Sequence, residues 1–366
     1  PATPVVEAQI GYLRRESAGG GYETAERLGD AADTPYRGIA GLLGVEPAEV
    51  GFCGNASDAW RRVLYALPLG RGARIGYDES IYGGNLLALL EAEERFGWRL
   101  FPVSLDPDSG RIDLTALEAA LTDGLDLVAL THMPAHSGVV NDLDETSAMI
   151  RRHGAISLVD ACQTVGHVPI DLSPTAVDGL VFTGRKFLRA PRGTGGFVVR
   201  GPLLERIQPL GPDLRAGEVL PDGRHQVRRG GVGLEQWERN WALHVGLGAA
   251  VEYLLDLDRE WAWRRIQGLS RTLAAELSAI DGIVVRRGPA EQGGIVVFDL
   301  PGKTLTSVRD SLRARGANVM FAGEQNAPVQ MRRQGERGWL RASPHYFNTE
   351  DELRRFAALV SDATLS

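Results

Sequence analysis

From about residue 51 to residue 200, short apolar runs alternate with stretches of helical periodicity, and no other feature restricts the fold so far. The candidate strands are Gly51–Cys53, Arg74–Tyr77, Arg99–Val103, Leu125–Thr131, Ala155–Asp160, Gly179–Thr183 and Gly195–Val199. Between them lie the helical patterns Ser57–Leu67, Gly84–Phe96, Asp113–Leu121 and Leu143–His153. Strands that are apolar on both sides need cover on both faces. The alternation therefore predicts an α/β fold around a buried, mainly parallel sheet. The first fifty residues read as helices and turns, broken at Gly19-Gly20-Gly21. Residues 201–233, rich in Gly, Pro and Arg, predict a mobile loop, and Glu235–Ile280 predicts helices long enough to bridge two domains. Strands at Ile283–Arg286, Gly294–Asp299, Ala317–Met320 and Gly338–Ala342, with helices Thr306–Arg315 and Thr349–Asp362, then predict a small α/β domain. The expected division is 1–255 for the N-terminal segment and large domain, and 256–366 for the small one.

A chain of 366 residues, 43% hydrophobic, is long enough for a core in each. Its net charge of −7 argues against a nucleic-acid or anionic-membrane partner. No stretch approaches the roughly 18 apolar residues of a membrane span. The opening Pro1-Ala2-Thr3-Pro4 carries no basic-then-apolar leader, so no signal peptide is expected; it also lacks Met, so a short native N-terminus is expected to precede it. Two cysteines, Cys53 and Cys162, exclude a disulfide scaffold or a four-cysteine metal site, and a reducing cytoplasm is the simplest home. Of the 40 basic residues only Lys186 and Lys303 are lysines. That skew fits GC-rich coding and a specialised bacterial pathway. A position that stays Lys against it suggests a need for an amine that can lose its proton.

The densest signal is Leu158-Val159-Asp160-Ala161-Cys162-Gln163, followed by Gly179-Leu180-Val181-Phe182-Thr183-Gly184-Arg185-Lys186. Each ends an apolar strand in polar residues, where open α/β sheets place ligands. An acid at one strand end and a lone lysine at another suit a pyridine cofactor held as a Schiff base, the carboxylate keeping the ring nitrogen protonated. Taken singly, Asp160 also reads as a cap or ion-pair residue, and Lys186 as a surface cation. Gly193-Thr194-Gly195-Gly196 is no P-loop, and no Gly-x-Gly-x-x-Gly opens an early helix, which disfavours a nicotinamide fold. His132 and His136 have i,i+4 spacing, but Pro134 between them argues against a helical metal pair, and no metal is expected.

With their neighbours these blocks resemble the class V aminotransferase family of pyridoxal-phosphate enzymes, which includes cysteine desulfurases, isopenicillin-N-epimerase-like proteins and carbon–sulfur lyases. The resemblance runs from about Gly51 to Glu352. It is carried by Gly54-Asn55-Ala56-Ser57-Asp58-Ala59-Trp60, Asp160-Ala161-Cys162-Gln163, Thr183-Gly184-Arg185-Lys186-Phe187-Leu188-Arg189, Pro191-Arg192-Gly193-Thr194-Gly195 and Arg341-Ala342-Ser343-Pro344-His345-Tyr346-Phe347-Asn348-Thr349. It implies a large cofactor domain with a mainly parallel seven-stranded sheet and a small C-terminal domain, the aspartate-aminotransferase-like fold. It also implies that Lys186 binds pyridoxal 5'-phosphate, that Asp160 partners the pyridinium nitrogen and that Gln163 bonds the phenolic oxygen. Asn55, Ala56 and Ser57 at a helix start, with Thr183 and Arg185, would hold the phosphate. Tyr82 resembles the aromatic that stacks on the ring. Arg341 matches the arginine that clamps a substrate carboxylate. His132 and Tyr22 are candidate substrate contacts, and packing roles are as plausible for both. Arg228 and Arg229 lie in a loop that in relatives reaches the neighbouring subunit, which implies a homodimer with shared active sites.

The sequence departs from the desulfurases in two places. They carry Asn near Ala135, and a nucleophilic cysteine on a C-terminal loop; the corresponding stretch, Phe321 to Gly338, has none. Cys53 and Cys162 read as core residues. The expectation is therefore β-elimination from an S-substituted cysteine, giving thiol, pyruvate and ammonia. The alternatives are an aminotransferase or decarboxylation-coupled deaminase, an epimerase, or a non-catalytic cofactor-binding protein.

Overall fold

The computed structural model describes residues 1–286 and 291–365. Its large sheet contains seven strands: β1 (Val50–Cys53), β2 (Arg74–Asp78), β3 (Arg99–Val103), β4 (Leu127–Thr131), β5 (Ile156–Asp160), β6 (Gly179–Thr183) and β7 (Gly195–Val199). The spatial order is β1-β7-β6-β5-β4-β2-β3. Only β7 runs against the rest, pairing antiparallel with both β1 and β6. β4 to β7 are buried along their whole length, as strands covered on both faces must be. β3 is an exposed edge, which is why it tolerates Pro102.

Helices α1 (Thr3–Gly19), α2 (Gly21–Glu26) and α3 (Thr34–Leu43) form the N-terminal segment, and Gly20, at φ 86°, makes the break between the first two. α4 (Ala56–Ala66), α5 (Gly83–Phe96), α6 (Leu114–Thr122) and α7 (Leu143–Arg152) connect the sheet strands. Asn55, Asp113 and Asp142 cap α4, α6 and α7 through their side-chain oxygens, so these helices start where the sequence supplies an acceptor. One apolar core on each side of the sheet holds the layers together, with Trp60 and Leu89 fully buried in one and Ile39 and Phe182 in the other.

The expected loop at 201–233 is more ordered than its Gly and Pro content predicts. It contains α8 (Gly201–Leu204) and a hairpin of β8 (Gly217–Val219) with β9 (His225–Val227). Its tether is polar. The buried Glu235 carboxylate accepts from Phe52 N, Tyr36 Oη, Arg215 Nε and Arg239 Nη2.

The long helices α9 (Trp241–Leu255) and α10 (Arg259–Ser278) follow. The second sheet is antiparallel, of β10 (Val284–Arg286), β11 (Val296–Asp299), β12 (Met320–Gly323) and β13 (Gly338–Ala342), in the order β10-β11-β13-β12. α11 (Leu305–Ala314), α12 (Pro328–Gln334) and α13 (Glu350–Leu365) accompany it, with its own core around Phe298, Leu312 and Leu340. The strand expected at Ala317–Met320 lies instead at Met320–Gly323. Ala317 N still donates to Leu312 O at the end of α11, and pairing starts only where Met320 meets Arg341. A further cluster of Met133, Phe187, Trp263, Val297 and Trp339 packs the second sheet against the loops at the strand ends of the first. Among the described residues, no helix is long and apolar enough to cross a membrane.

Candidate active site

A cavity of about 210 Å³ opens between the strand ends of the large sheet and the second sheet, and it gathers residues from seven strands or the segments after them. β5 delivers Asp160, with Cys162 and Gln163 just beyond, and β6 delivers Thr183, Arg185 and Lys186. The start of α4 supplies Asn55, Ala56 and Ser57; the segment before α5 supplies Ser80 and Tyr82; and β13 supplies Arg341. Met320 on β12 and Asn326 complete the wall on the C-terminal side. Ten residues expected at a cofactor and substrate site thus line one cavity, although they are spread over nearly 290 positions of the chain.

The start of α4 is built to face an anion. The N–H groups of Ala56 and Ser57 fall in the first turn and have no intrahelical acceptor. Asn55 Oδ1 accepts from Asp58 N at 2.9 Å, so Asn55 serves as the cap while its neighbours point their N–H groups outward. β7 presses against this turn: a Cβ on Gly195 would fall 2.5 Å from Asn55 C and 2.8 Å from Ala56 N, so only glycine fits there. Thr183 Oγ1 donates to Thr194 O at 3.4 Å on the same side, and the exposed Arg185 stands at the rim.

Asp160 is buried, and its carboxylate is held by Asn85 and by both the N–H and the thiol of Cys162. Cys162 N donates to Oδ1 at 2.9 Å, and Asn85 Nδ2 donates to Oδ2 at 2.6 Å. Lys186 lies in the same cavity. Burial, with the Arg185 and Arg341 guanidinium groups nearby, holds its ammonium below the ordinary lysine range against the opposing pull of Cys162 and Asp160. Tyr82 caps α5 and is 42% exposed; its ring folds over Gly84, where a Cβ would sit 2.6 Å from the ring edge. Arg341 Nη1 donates to Ala135 O at 3.1 Å, while its buried Nε has no partner. Thr131, beside Asp160 in the strand register, is also buried, and both its N–H and its hydroxyl bond the Asp78 carboxylate.

Two expected contacts lie elsewhere. His132 is buried but does not line the cavity. Strand alternation turns its ring away from the face that carries Thr131, and its own N–H donates to Asp160 O at 3.0 Å. Burial lowers its imidazole to about 4. Tyr22 is 75% exposed on α2 and borders a separate cavity of about 530 Å³ with Trp237 and Trp241. Arg228 and Arg229 are exposed beyond the β8–β9 hairpin and do not line the cavity of their own chain. Met133, Met320 and Asn326 escaped the sequence reading, and so did three further polar cavity residues. Asn85 was visible only as part of the Tyr82-Gly83-Gly84-Asn85 run. Thr131 and Ser80 carry no motif, and only the strand register brings them here.

Neither thiol is poised as a nucleophile. Burial pushes Cys162 well above the usual thiol range, and Cys53, whose Sγ bonds Asn55 O, to about 12. Among the described residues, no group of three or more His, Cys, Asp or Glu could hold a metal ion.

An open α/β sheet that sets an amine, a doubly held carboxylate and an anion-facing helix start around one cavity defines a pyridoxal-phosphate enzyme of the aspartate-aminotransferase-like fold. The chain matches the aminotransferase class-V model over residues 2–356 and belongs to that family. It is 27% identical over 364 residues to a probable cysteine desulfurase of Methanothermobacter thermautotrophicus, covering 96% of this chain and 89% of the relative. It is 30% identical over 301 residues to one of Chlamydia trachomatis, covering 80% and 72%. Among solved structures it resembles apo cysteine desulfurase from Thermococcus onnurineus, with TM-score 0.90 at 24% identity over 99% and 91% of the two chains. It also resembles the cystine C–S lyase C-DES in complex with its product cysteine persulfide, with TM-score 0.88 at 22% identity over 99% and 94%. Pyridoxal 5'-phosphate is the cofactor of the family, and the Gly195 cradle behind the anion-facing start of α4, with the Asp160 carboxylate and the Lys186 amine in the same cavity, suits a charged ring compound bearing an aldehyde and a phosphate.

Proposed function

We propose that the chain is a carbon–sulfur β-lyase acting on an S-substituted cysteine. One observation carries the reading: Lys186 and Arg341 share a cavity whose C-terminal wall, Met320 and Asn326, holds no thiol. Without that thiol the sulfur atom has no protein nucleophile to receive it, so it leaves as part of a thiol.

When bound, pyridoxal phosphate supplies the electron sink that stabilises negative charge at the substrate Cα. The N–H groups of Ala56 and Ser57, with Thr183 and Arg185, would hold its phosphate, Gln163 its phenolic oxygen, Asp160 its ring nitrogen and Tyr82 its face. Arg341 takes the substrate carboxylate, for which its unpartnered Nε is the available donor. The Lys186 amine, with its proton affinity reduced by burial, then removes the proton from Cα. The Cβ–S bond breaks, its electron pair leaves with sulfur, and a proton completes the thiol. Water takes the remaining three-carbon unit to pyruvate and ammonia. The relatives' names, desulfurase and cystine C–S lyase, support C–S cleavage on a cysteine-type substrate.

The test is an end-product assay with a panel of S-substituted cysteines and no keto-acid acceptor. Catalytic release of thiol and pyruvate is expected. A single stoichiometric conversion of cofactor to its amine form would identify a transaminase, and carbon dioxide with the C–S bond intact a decarboxylating deaminase. We also propose a homodimer that completes each site. Exposed Tyr22, Trp237, Arg228 and Arg229, all away from their own chain's cavity, support it, and a monomer by sedimentation would rule it out. The two free thiols support a reducing, cytoplasmic home.

A further inference from the structure

We infer that Asn85 is a positioning residue of the reaction, holding the Asp160 carboxylate correctly turned toward the ring nitrogen. The inference rests on the role given to Asp160 above. Asn85 is only 3% exposed and sits in the first turn of α5, where its N–H donates to Tyr82 O at 2.8 Å. One helix start therefore places both the aromatic over the ring and the amide behind the carboxylate. An ionised carboxylate only accepts, so the amide must turn its NH₂ group to Oδ2, and the 2.6 Å contact is a charge-assisted bond. With Cys162 N on Oδ1 and the Cys162 thiol also bonded to the carboxylate, Asn85 and Cys162 together fix Asp160 at the wall of the cavity.

The amide suits this position better than a charged side chain. A donor to the charged form stabilises it. Lys or Arg at position 85 would do so too, but its positive charge would compete with the ring nitrogen for Asp160. Asp or Glu there would set a second negative charge against Asp160 and, ionised, would offer it no donor. A neutral donor keeps the negative charge and leaves it to the ring.

The experiment compares reconstituted holoenzymes of the parent, Asn85→Ala, Asn85→Leu, Asp160→Ala and the double variant Asn85→Ala/Asp160→Ala. Three quantities are read: cofactor dissociation constant, visible absorbance spectrum and steady-state kinetics. Asn85→Ala and Asn85→Leu should keep a cooperative thermal transition. Both should bind pyridoxal phosphate about tenfold to a hundredfold more weakly, the weight of one hydrogen bond to a charged group. Both should shift the absorbance maximum in the same direction as Asp160→Ala, and lower kcat with little change in KM. In the Asp160→Ala background, Asn85→Ala should add no further loss. Parent-like affinity and spectrum in both Asn85 variants would overturn the proposal, as would losses that simply add in the double variant. If Asp160→Ala itself leaves affinity and spectrum unchanged, the assignment of Asp160 fails, and the role of Asn85 fails with it.

Discussion

Arg341 shows how a single side chain can be read from both sequence and structure. Its motif carries the proposed role of carboxylate clamp, and its fold position leaves Nε buried and unsatisfied while Nη1 is occupied by Ala135 O. A lysine cannot present that fork. Arg341→Lys should therefore lower kcat/KM about tenfold to a hundredfold, mostly through KM, with cofactor affinity unchanged. Equal loss of cofactor would show that the guanidinium belongs to the phosphate instead. That Asp160, Gln163 and Lys186 gather at one cavity was legible because each sits in a contiguous motif at a strand end. Asn85 and Thr131 were not, because what they touch is decided by partners 75 and 29 residues away in the chain. His132 misled for a related reason. Its neighbour Thr131 faces the cavity, and a period of two along a strand turns adjacent residues to opposite sides.

At the level of elements, the alternating strands and helices of the large sheet were legible to within about two residues, since buried parallel strands write themselves as unbroken apolar runs. The segment 201–233 was not. Its order comes from one buried carboxylate, Glu235, reaching Phe52, Tyr36 and two arginines, and composition carries no trace of such a tether. The junction of β7 with α4 offers the sharpest test. In Gly195→Ala the new methyl meets backbone atoms of Asn55 and Ala56, which cannot move aside as a side chain would. The variant should fold, yet bind pyridoxal phosphate at least about tenfold more weakly, because the helix start that would face the phosphate is displaced. Parent-like affinity in a titration of the apo-protein would mean that this turn does not hold the anion.

For the whole molecule, five histidines are buried neutral. Burial lowers His132, His136, His244 and His345 to about 4, and His167 to about 3. His167 shows the reason: Gly294 N donates to its Nε2, so Nδ1 must carry the proton it shares with Gln163 O, and a second proton would break the bond from Gly294. The unfolded chain binds protons below the ordinary histidine value near 6.5, while the folded chain resists them until about 4. Stability is therefore full above about pH 6.5 and is lost as pH falls toward 4. Asp78 opposes this. Burial raises it to about 6, so it favours folding at low pH, and that contribution fades as pH rises through 6. One carboxyl does not balance five imidazoles, so the melting temperature should fall steadily between pH 6.5 and 4.5; a flat profile would contradict the burial.

The antiparallel strand β7 also has a consequence for the order of assembly. β1 pairs with no strand but β7, and the α4 turn is closed by Gly195 on that same strand. A polypeptide growing from its N-terminus therefore makes the α4 helix early, but it cannot finish the anion seat until about 140 residues later, and Arg341 arrives later still. Cofactor capture is thereby tied to a chain grown past β7, and a product truncated before Gly195 has no finished place to sequester the aldehyde.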